Sequence, residues 1–247
     1  MRAVSHSCSC PEVRTSARVL IVEDNTDLAF GLSRTLEAYG HRVAVVADST
    51  TTIAQVLSFQ PHLVILDLMM PGLDGFSVLE RLRTDGFVMP VLILSARSEE
   101  ADKVRGFRSG ADDFVTKPFG VLELVERVSA LLRRARPTET PAHSAVLPAY
   151  VRFSDVLVDV AARRVSRGDQ AVSLTPKEFD LLLALVRQPE RALTRATLLR
   201  DVWGHAPDIQ TRTVDLHVVE LRRKLERVPS RPRHIRTVWK TGYRFDP

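Results

Sequence analysis

Leu63–Gly75 reads LVILDLMMPGLDG, in which four apolar residues, Leu63 to Leu66, run straight into the carboxylate of Asp67. Phe76, Leu79 and Leu82 then follow at helical spacing. A short run that is apolar on both faces is a strand covered on both sides, so the stretch predicts a buried strand, a loop opened by Asp67 and a crossover helix. The same pattern recurs outward in both directions. Val19–Val22 precedes Leu28, Leu32, Leu36 and a stop at Gly40; Val43–Val46 precedes Ile53 to Phe59. Val91–Leu94 precedes a helix to Ser109, and Phe114–Thr116 precedes Leu122, Val125, Val128 and Leu132. Five βα units in succession predict a doubly wound α/β domain with a five-stranded parallel sheet over 18–134.

Outside that block the pattern changes. Residues 1–17 show no periodicity and are read as a flexible tail. Pro137–Ala149, PTETPAHSAVLPA, carries three prolines and no amphipathic repeat, which places a linker at 135–149. Residues 150–247 read as an α+β domain. Short alternating strands at Val151–Phe153, Leu157–Asp159, Val165–Arg167 and Val172–Leu174 precede three helices. The first opens at Thr175-Pro176-Lys177-Glu178, a capping box with proline at the first helical position, and runs through Phe179, Leu182, Leu183 and Val186. The second covers Arg195–Val202 and the third Arg212–Arg227, and Ile235–Phe245 closes the chain as a hairpin turning at Lys240-Thr241-Gly242.

Length and composition agree with two soluble domains: 247 residues, 45% hydrophobic and 26% charged. The apolar runs are strand-sized, far short of the roughly 18 residues of a membrane span, so no membrane insertion is expected. MRAVSHSCSC at the N-terminus offers no signal-peptide core, and a cytoplasmic protein is expected. The two cysteines, Cys8 and Cys10, are one residue apart and supply no disulfide framework; with His6 they are read as part of an unstructured tail rather than as a metal site. The net charge of +5 is unevenly divided: residues 18–134 carry 13 basic and 16 acidic side chains, residues 150–247 carry 19 and 12. A basic domain joined to an acidic one points to a polyanion, with nucleic acid favoured, although an arginine-rich solvated face gives the same count.

Glu23 and Asp24 end the first strand and Asp67 ends the third. In an open α/β sheet of order 2-1-3-4-5 these ends meet at the switch point, so the three carboxylates converge. A cluster of like charges persists most easily around a hard divalent cation, Mg²⁺ above all, and a carboxylate there can act as nucleophile toward a phosphoryl group. Ser95 at the end of strand four offers a hydroxyl and Lys117 after strand five a point charge. Each alone is an ordinary loop residue; the set is what carries chemistry.

VLIVEDN (Val19–Asn25), VILDLMMPGLDG (Val64–Gly75), LILSA (Leu92–Ala96) and GADDFVTKPF (Gly110–Phe119) resemble the receiver domain of bacterial two-component response regulators. The resemblance implies that Asp67 accepts a phosphoryl group from a sensor histidine kinase, with Mg²⁺ held by Asp24, Asp67 and the carbonyl of Met69, and Glu23 nearby through water. It implies phosphoryl contacts from Ser95 and Lys117, a switch made of Ser95 and Phe114, a cis bond from Lys117 to Pro118, and a protein that assists its own phosphorylation and dephosphorylation without being an enzyme in the ordinary sense. It further implies that phosphorylation produces a homodimer, with Lys103 pairing with Glu123 and Asp113 with Arg134 across a twofold axis. Ser109 stands at the third acidic position, which leaves Arg127 without its expected partner.

In the third C-terminal helix Val214, Val218, Leu221 and Leu225 form the buried stripe, leaving Arg212, Leu216, Val219 and Arg223 opposite it, flanked by His217 and Glu220. Exposed Leu216 and Val219 beside arginines suit a face that meets something. SLTPKEFDLLLAL, LLRDVWG, RTVDLHVVELRRKL and TVWKTGYRF resemble the OmpR/PhoB-type winged-helix domain. That resemblance implies a recognition helix at Arg212–Arg227 and a wing at Ile235–Phe245, promoter DNA and RNA polymerase as partners, and DNA contacts from Arg212, Thr213, Leu216, His217, Val219, Glu220, Arg223, Lys240, Thr241 and Tyr243. Glu220 stands where relatives often place a basic residue and Lys240 where they place glycine, so base preference and wing geometry are not carried over. Two other functions compete with this one. A haloacid dehalogenase-type phosphatase wants a second aspartate where Met69 stands, and a regulator working without phosphorylation would not need the intact pocket set.

Overall fold

In the computed structural model, which describes residues 16–70, 74–96, 100–134, 148–204 and 212–247, strand β3 (Leu63–Asp67) is buried along its whole length at the centre of a parallel sheet. β1 (Arg18–Val22) and β4 (Val91–Ser95) flank it, β2 (Arg42–Val46) and β5 (Asp113–Thr116) form the edges, and the order is β2-β1-β3-β4-β5. Helices α1 (Thr26–Ala38), α2 (Thr52–Phe59), α3 (Gly75–Thr84), α4 (Glu100–Arg108) and α5 (Val121–Arg134) cover both faces. The fivefold repeat therefore folds as expected, and the expected strands differ from the observed ones by a residue at most. Local signals set the starts of the helices that border the strand ends. Asn25 caps α1 by accepting from the Leu28 N–H at 3.0 Å, and Asp74 caps α3 by accepting from Phe76 at 3.2 Å. Nearly all of the expected tail and linker, with His6, Cys8 and Cys10, lies outside the described residues.

The C-terminal domain opens with an antiparallel sheet in sequence order, β6 (Tyr150–Phe153), β7 (Val156–Asp159), β8 (Arg164–Arg167) and β9 (Gln170–Val172). The fourth strand was expected at Val172–Leu174 and lies earlier. Arg167 pairs directly with Gln170, so Gly168 and Asp169 make a two-residue turn, with Gly168 at φ 56°, and the strand begins at once. α6 (Pro176–Val186) carries the capping box: Thr175 accepts from the Glu178 N–H at 3.3 Å and Glu178 Oε2 accepts from the Thr175 N–H at 2.7 Å. α7 (Arg195–Leu198) widens into a π turn at Leu199–Trp203, which carries the second helix one residue beyond the expected end. α8 spans Thr213–Leu225. A two-residue strand that the sequence did not announce, β10 (Leu193–Thr194), joins β12 (Gly242–Phe245) and β11 (Ile235–Val238) into a three-stranded sheet. Gly242 is required there: a Cβ would lie 2.1 Å from the Leu193 carbonyl oxygen.

The two domains pack through α8 and the π turn against α4, β5 and α5. The indole N–H of Trp203 donates to the Asp112 carbonyl at 2.8 Å, and Arg133 donates to the Gly204 carbonyl at 2.8 Å. Leu216 of α8 belongs to the apolar cluster of the N-terminal domain, with Phe107, Ala111 and Phe114.

Candidate functional site

The reversal of strand order between β1 and β3 brings Glu23, Asp24 and Asp67 together at one edge, one carboxylate oxygen of each lying within 4.8 Å of the others. Glu23 and Asp67 are buried and Asp24 is half-buried. Lys117 reaches in from the end of β5, its Nζ donating to Glu23 Oε2 at 2.8 Å and to Asp67 Oδ2 at 2.7 Å. Asp67 Oδ1 also accepts from the Met69 N–H at 2.9 Å. Burial, with the Asp67 charge beside it, pushes the Glu23 carboxyl above its ordinary range despite the opposing pull of Lys117. Burial would pull Lys117 down, but the hydrogen bonds and charges of Asp67 and Glu23 outweigh it and hold the ammonium above its usual value. An all-oxygen cluster of this kind could hold a hard divalent cation. Ser95 is fully buried at the end of β4, where its carbonyl accepts from the Lys117 N–H at 2.8 Å, and the bond from Lys117 to Pro118 is cis, as expected. Gly75 closes the loop behind Asp67: a Cβ there would stand 2.6 Å from the Asp67 carbonyl oxygen.

β5 links this pocket to the domain interface. Phe114 is turned inward, with the Lys103 Nζ 5.8 Å from its ring centroid. Asp113, beside it, is fully buried and has partners on both domains: Arg127 donates to Oδ2 at 2.8 Å and the Thr213 hydroxyl of α8 donates to Oδ1 at 2.9 Å. Arg127, for which Ser109 leaves no acidic partner across the expected dimer, pairs within the chain with Asp113 and with Glu123, the second at 2.9 Å one helical turn back, a spacing that reading i and i+4 pairs along α5 would have found. Asp113 and Glu123 are thus engaged within one chain and not held free for a twofold partner; the Arg134 side chain lies outside the described residues.

The outward face expected for α8 needs a larger correction. Thr213, Leu216, His217 and Glu220 are buried, because the N-terminal domain covers them. Leu216 is 7% exposed in the Phe107–Phe114 cluster. His217 is wedged between Phe107 at 4.7 Å and Trp203 at 4.8 Å, both edge-on, and burial holds its pKa down at about 4. Glu220, 2% exposed, pairs with Arg108 of α4 at 3.0 Å and with Arg223 at 2.7 Å. Arg212, Val219 and Arg223 stay exposed, as do Lys240 and Thr241. Tyr243 does not: its hydroxyl donates to Asp215, and burial with that bond pushes its pKa up to about 12. The exposed aromatic of the hairpin is instead Trp239, which the sequence did not single out. A cavity of about 730 Å³ remains between the domains, bordered by Lys103, Phe114, Arg195 and Arg212.

Comparison with known proteins accords with this arrangement. Residues 19–129 match the response regulator receiver domain, and residues 169–245 match the C-terminal domain of transcriptional regulatory proteins. The DNA-binding response regulator MtrA of Mycobacterium tuberculosis (strain ATCC 25618 / H37Rv) is 42% identical over 230 residues, covering 93% of this chain and 97% of that one. This chain belongs to the response regulator family. Response regulator MprA of Mycobacterium bovis (strain BCG / Pasteur 1173P2) is 39% identical over 228 residues, 92% of this chain and 96% of its own. Among solved structures a cysteine-to-serine mutant of RitR is 25% identical, covers 94% of this chain and 99% of its own, and superposes with a TM-score of 0.67. DrrB, a Thermotoga maritima OmpR/PhoB homolog, is 27% identical with a TM-score of 0.50, covering 94% and 100%. In this response regulator the receiver match covers residues 19–129, and the surface that domain turns toward the C-terminal domain is α4, β5 and α5.

Proposed function

We propose that this response regulator is a DNA-binding transcription factor gated by a phosphoryl group on Asp67. The observation that carries the reading is the path along β5: Lys117 at one end grips Asp67, and Asp113 and Phe114 at the other hold the helix that would read DNA. In the transfer, an Asp67 carboxylate oxygen attacks the phosphorus of a kinase phosphohistidine, the P–O bond forms as the P–N bond breaks, and the imidazole leaves with a proton. Mg²⁺ held by Asp24, Asp67 and the Met69 carbonyl, with Glu23 nearby through water, would neutralise phosphoryl charge. Lys117 exchanges a carboxylate oxygen for a phosphoryl oxygen, and the Ser95 hydroxyl turns to the same group. Their displacement shifts β5, and with it the seat of Phe114 and the acceptor of Thr213.

With the domains parted, α8 presents Arg212, Thr213, Leu216, His217, Val219, Glu220 and Arg223 to the major groove, with Lys240 and Thr241 on the hairpin touching backbone phosphate. Parting also uncovers the α4–β5–α5 surface for a homodimer on promoter DNA, in which Lys103 would pair with Glu123 and Asp113 with Arg134 once Asp113 and Glu123 exchange their bonds to Arg127 for the partner subunit, and RNA polymerase is the further partner. The same pocket lets water attack the acyl phosphate, so the protein assists its own dephosphorylation. Among the described residues no helix is long and apolar enough to cross a membrane, and a cytoplasmic site of action fits a DNA-bound partner. The test is intact mass after incubation with acetyl phosphate and Mg²⁺. One added phosphate in the wild type and none in Asp67→Asn is expected; equal labelling of both removes the reading, and none in either favours a regulator that works without phosphorylation.

A further inference from the structure

The cavity of about 730 Å³ between the domains takes a wall from each. The receiver supplies Lys103 and Phe107 of α4 and Phe114 of β5; the C-terminal domain supplies Leu199 of the π turn, Arg195 at the start of α7 and Arg212 just before α8. Its volume falls within the roughly 300–1,000 Å³ of pockets that hold small molecules, and domain interfaces are a common place for them. The charge of the lining is one-sided. Lys103, Arg127, Arg195 and Arg212 border the space against a single carboxylate, that of Glu123. Arg127 is engaged with Asp113 and Glu123, and Arg195 with Asp215. Lys103 is half-buried, and among the described residues it faces no carboxylate within ion-pair distance; the Phe114 ring, 5.8 Å from its Nζ to the centroid, is what it meets. An ammonium drawn half out of water against an apolar wall has lost hydration without gaining an anion.

We propose that this cavity binds a small aromatic organic anion, which holds the two domains closed. The anionic group complements Lys103, and a flat ring suits the remaining wall, where Phe107 and Phe114 offer ring contacts and the planar guanidinium groups favour aromatic faces. Arg195 is already set in orientation by Asp215 at 2.8 Å and by the Tyr243 ring, 5.1 Å from its guanidinium carbon to the centroid, so little of its freedom is left to lose on binding. A metal cation is repelled by this lining, and a flexible acyl anion loses more rotamer freedom than a rigid ring does. Because the walls belong to different domains, the cavity exists only while they are packed together. A ligand seated there therefore binds the closed form alone, and at 100 times its dissociation constant it shifts the balance toward closure about 100-fold. By the same linkage, whatever parts the domains expels the ligand. The effect on DNA rests on the reading above in which parting uncovers α8; the binding itself does not.

The probe is anilinonaphthalene sulfonate, an aromatic anion that fluoresces on leaving water, with uncharged phenylnaphthylamine as the counterpart that lacks the sulfonate. Titrated into the full-length unphosphorylated protein, the anion should fill one saturable site and bind roughly tenfold more tightly than the amine. Lys103→Gln, at a half-buried position whose loss leaves folding intact, should abolish that preference. Ala196→Trp fills the cavity from α7 and should weaken both probes roughly tenfold, each variant being checked for native circular dichroism. Binding of the anion that is unchanged in either folded variant, or spread over several weak sites, overturns the proposal. Saturating dye should also lower the affinity of the wild type for a DNA duplex and leave that of Ala196→Trp unaffected at the same dye concentration; a wild type whose DNA affinity ignores the bound dye overturns the hold on closure. Acetyl phosphate with Mg²⁺ should release the dye in step with the phosphate seen by intact mass. Dye that is lost from both variants yet stays on the phosphorylated wild type upholds the site and overturns the reading that phosphorylation parts the domains.

Discussion

Replacing Thr213 by valine keeps the shape of the side chain and deletes one hydroxyl, the one that donates to buried Asp113 at 2.9 Å across the domain interface. A hydrogen bond to a charged, buried acceptor contributes about 1.5–3 kcal/mol, and Asp113 keeps its ion pair with Arg127, so the loss falls on closure and not on the folding of the receiver. That magnitude shifts the balance between closed and parted domains by roughly 10- to 150-fold. DNA affinity of the closed protein is reduced by the fraction that is open, so closure is read as the ratio of the dissociation constants without and with phosphorylation. Fluorescence anisotropy on one duplex at one salt concentration gives both constants. Any direct contact of Thr213 with DNA divides out, since it weakens both. The ratio should fall by roughly 10- to 150-fold in Thr213→Val. If both constants rise equally and the ratio stays where it was, the contact with Asp113 does not hold the domains together.

Two other expectations follow from the same surfaces. His217 is kept neutral by burial between the domains, facing Asp113, Lys177, Lys224 and the Thr213 carbonyl, and its pKa of about 4 lies below the ordinary 6.5. Once exposed it binds a proton below pH 6.5, so the stability of the closed protein is full above that value and drains as the pH falls toward 4, by about 3 kcal/mol in total. Urea melts at pH 7 and pH 5 should show about 2 kcal/mol of this loss, and His217→Gln should flatten it; an equal pH dependence in the variant would contradict it. Lys240 sits at φ 58°, where asparagine is at ease and lysine is not. Lys240→Asn should stabilise the protein by about 1 kcal/mol while lowering the salt slope of DNA binding by about one, as urea melts and a salt titration would show together.

The sheet was legible because its strands are apolar on both faces and its helices are not, a contrast that needs no knowledge of the rest of the molecule. The pocket was legible for a related reason: once the strand order is known, strand ends become places, and Glu23, Asp24 and Asp67 fall into one of them. What covers a helix is a different kind of fact. Leu216 and Val219 occupy the same outward stripe of α8 and look alike in sequence, yet one is 7% exposed and the other 44%, because Phe107 and Phe114, some hundred residues earlier, meet only the first. Thr213 finds Asp113 across the same distance. Periodicity defines a face and is silent about its partner. The hairpin misled in a similar way: Tyr243 carries a polar tip and invited a role at the surface, whereas Asp215 on α8 draws that hydroxyl inward and leaves Trp239 outside. β10, two residues long, exists only because β12 lies alongside it to pair with.

That a phosphoryl group on Asp67 is what uncovers α8 is tested most directly by DNA affinity, measured by anisotropy at fixed salt before and after acetyl phosphate and Mg²⁺. The wild type and Asp67→Asn are compared, with intact mass taken on the same samples. Affinity should rise in the wild type in step with the fraction carrying one phosphate, while Asp67→Asn takes up none and stays at the lower affinity. A wild type that gains its phosphate on Asp67 and binds DNA no better than before would contradict it.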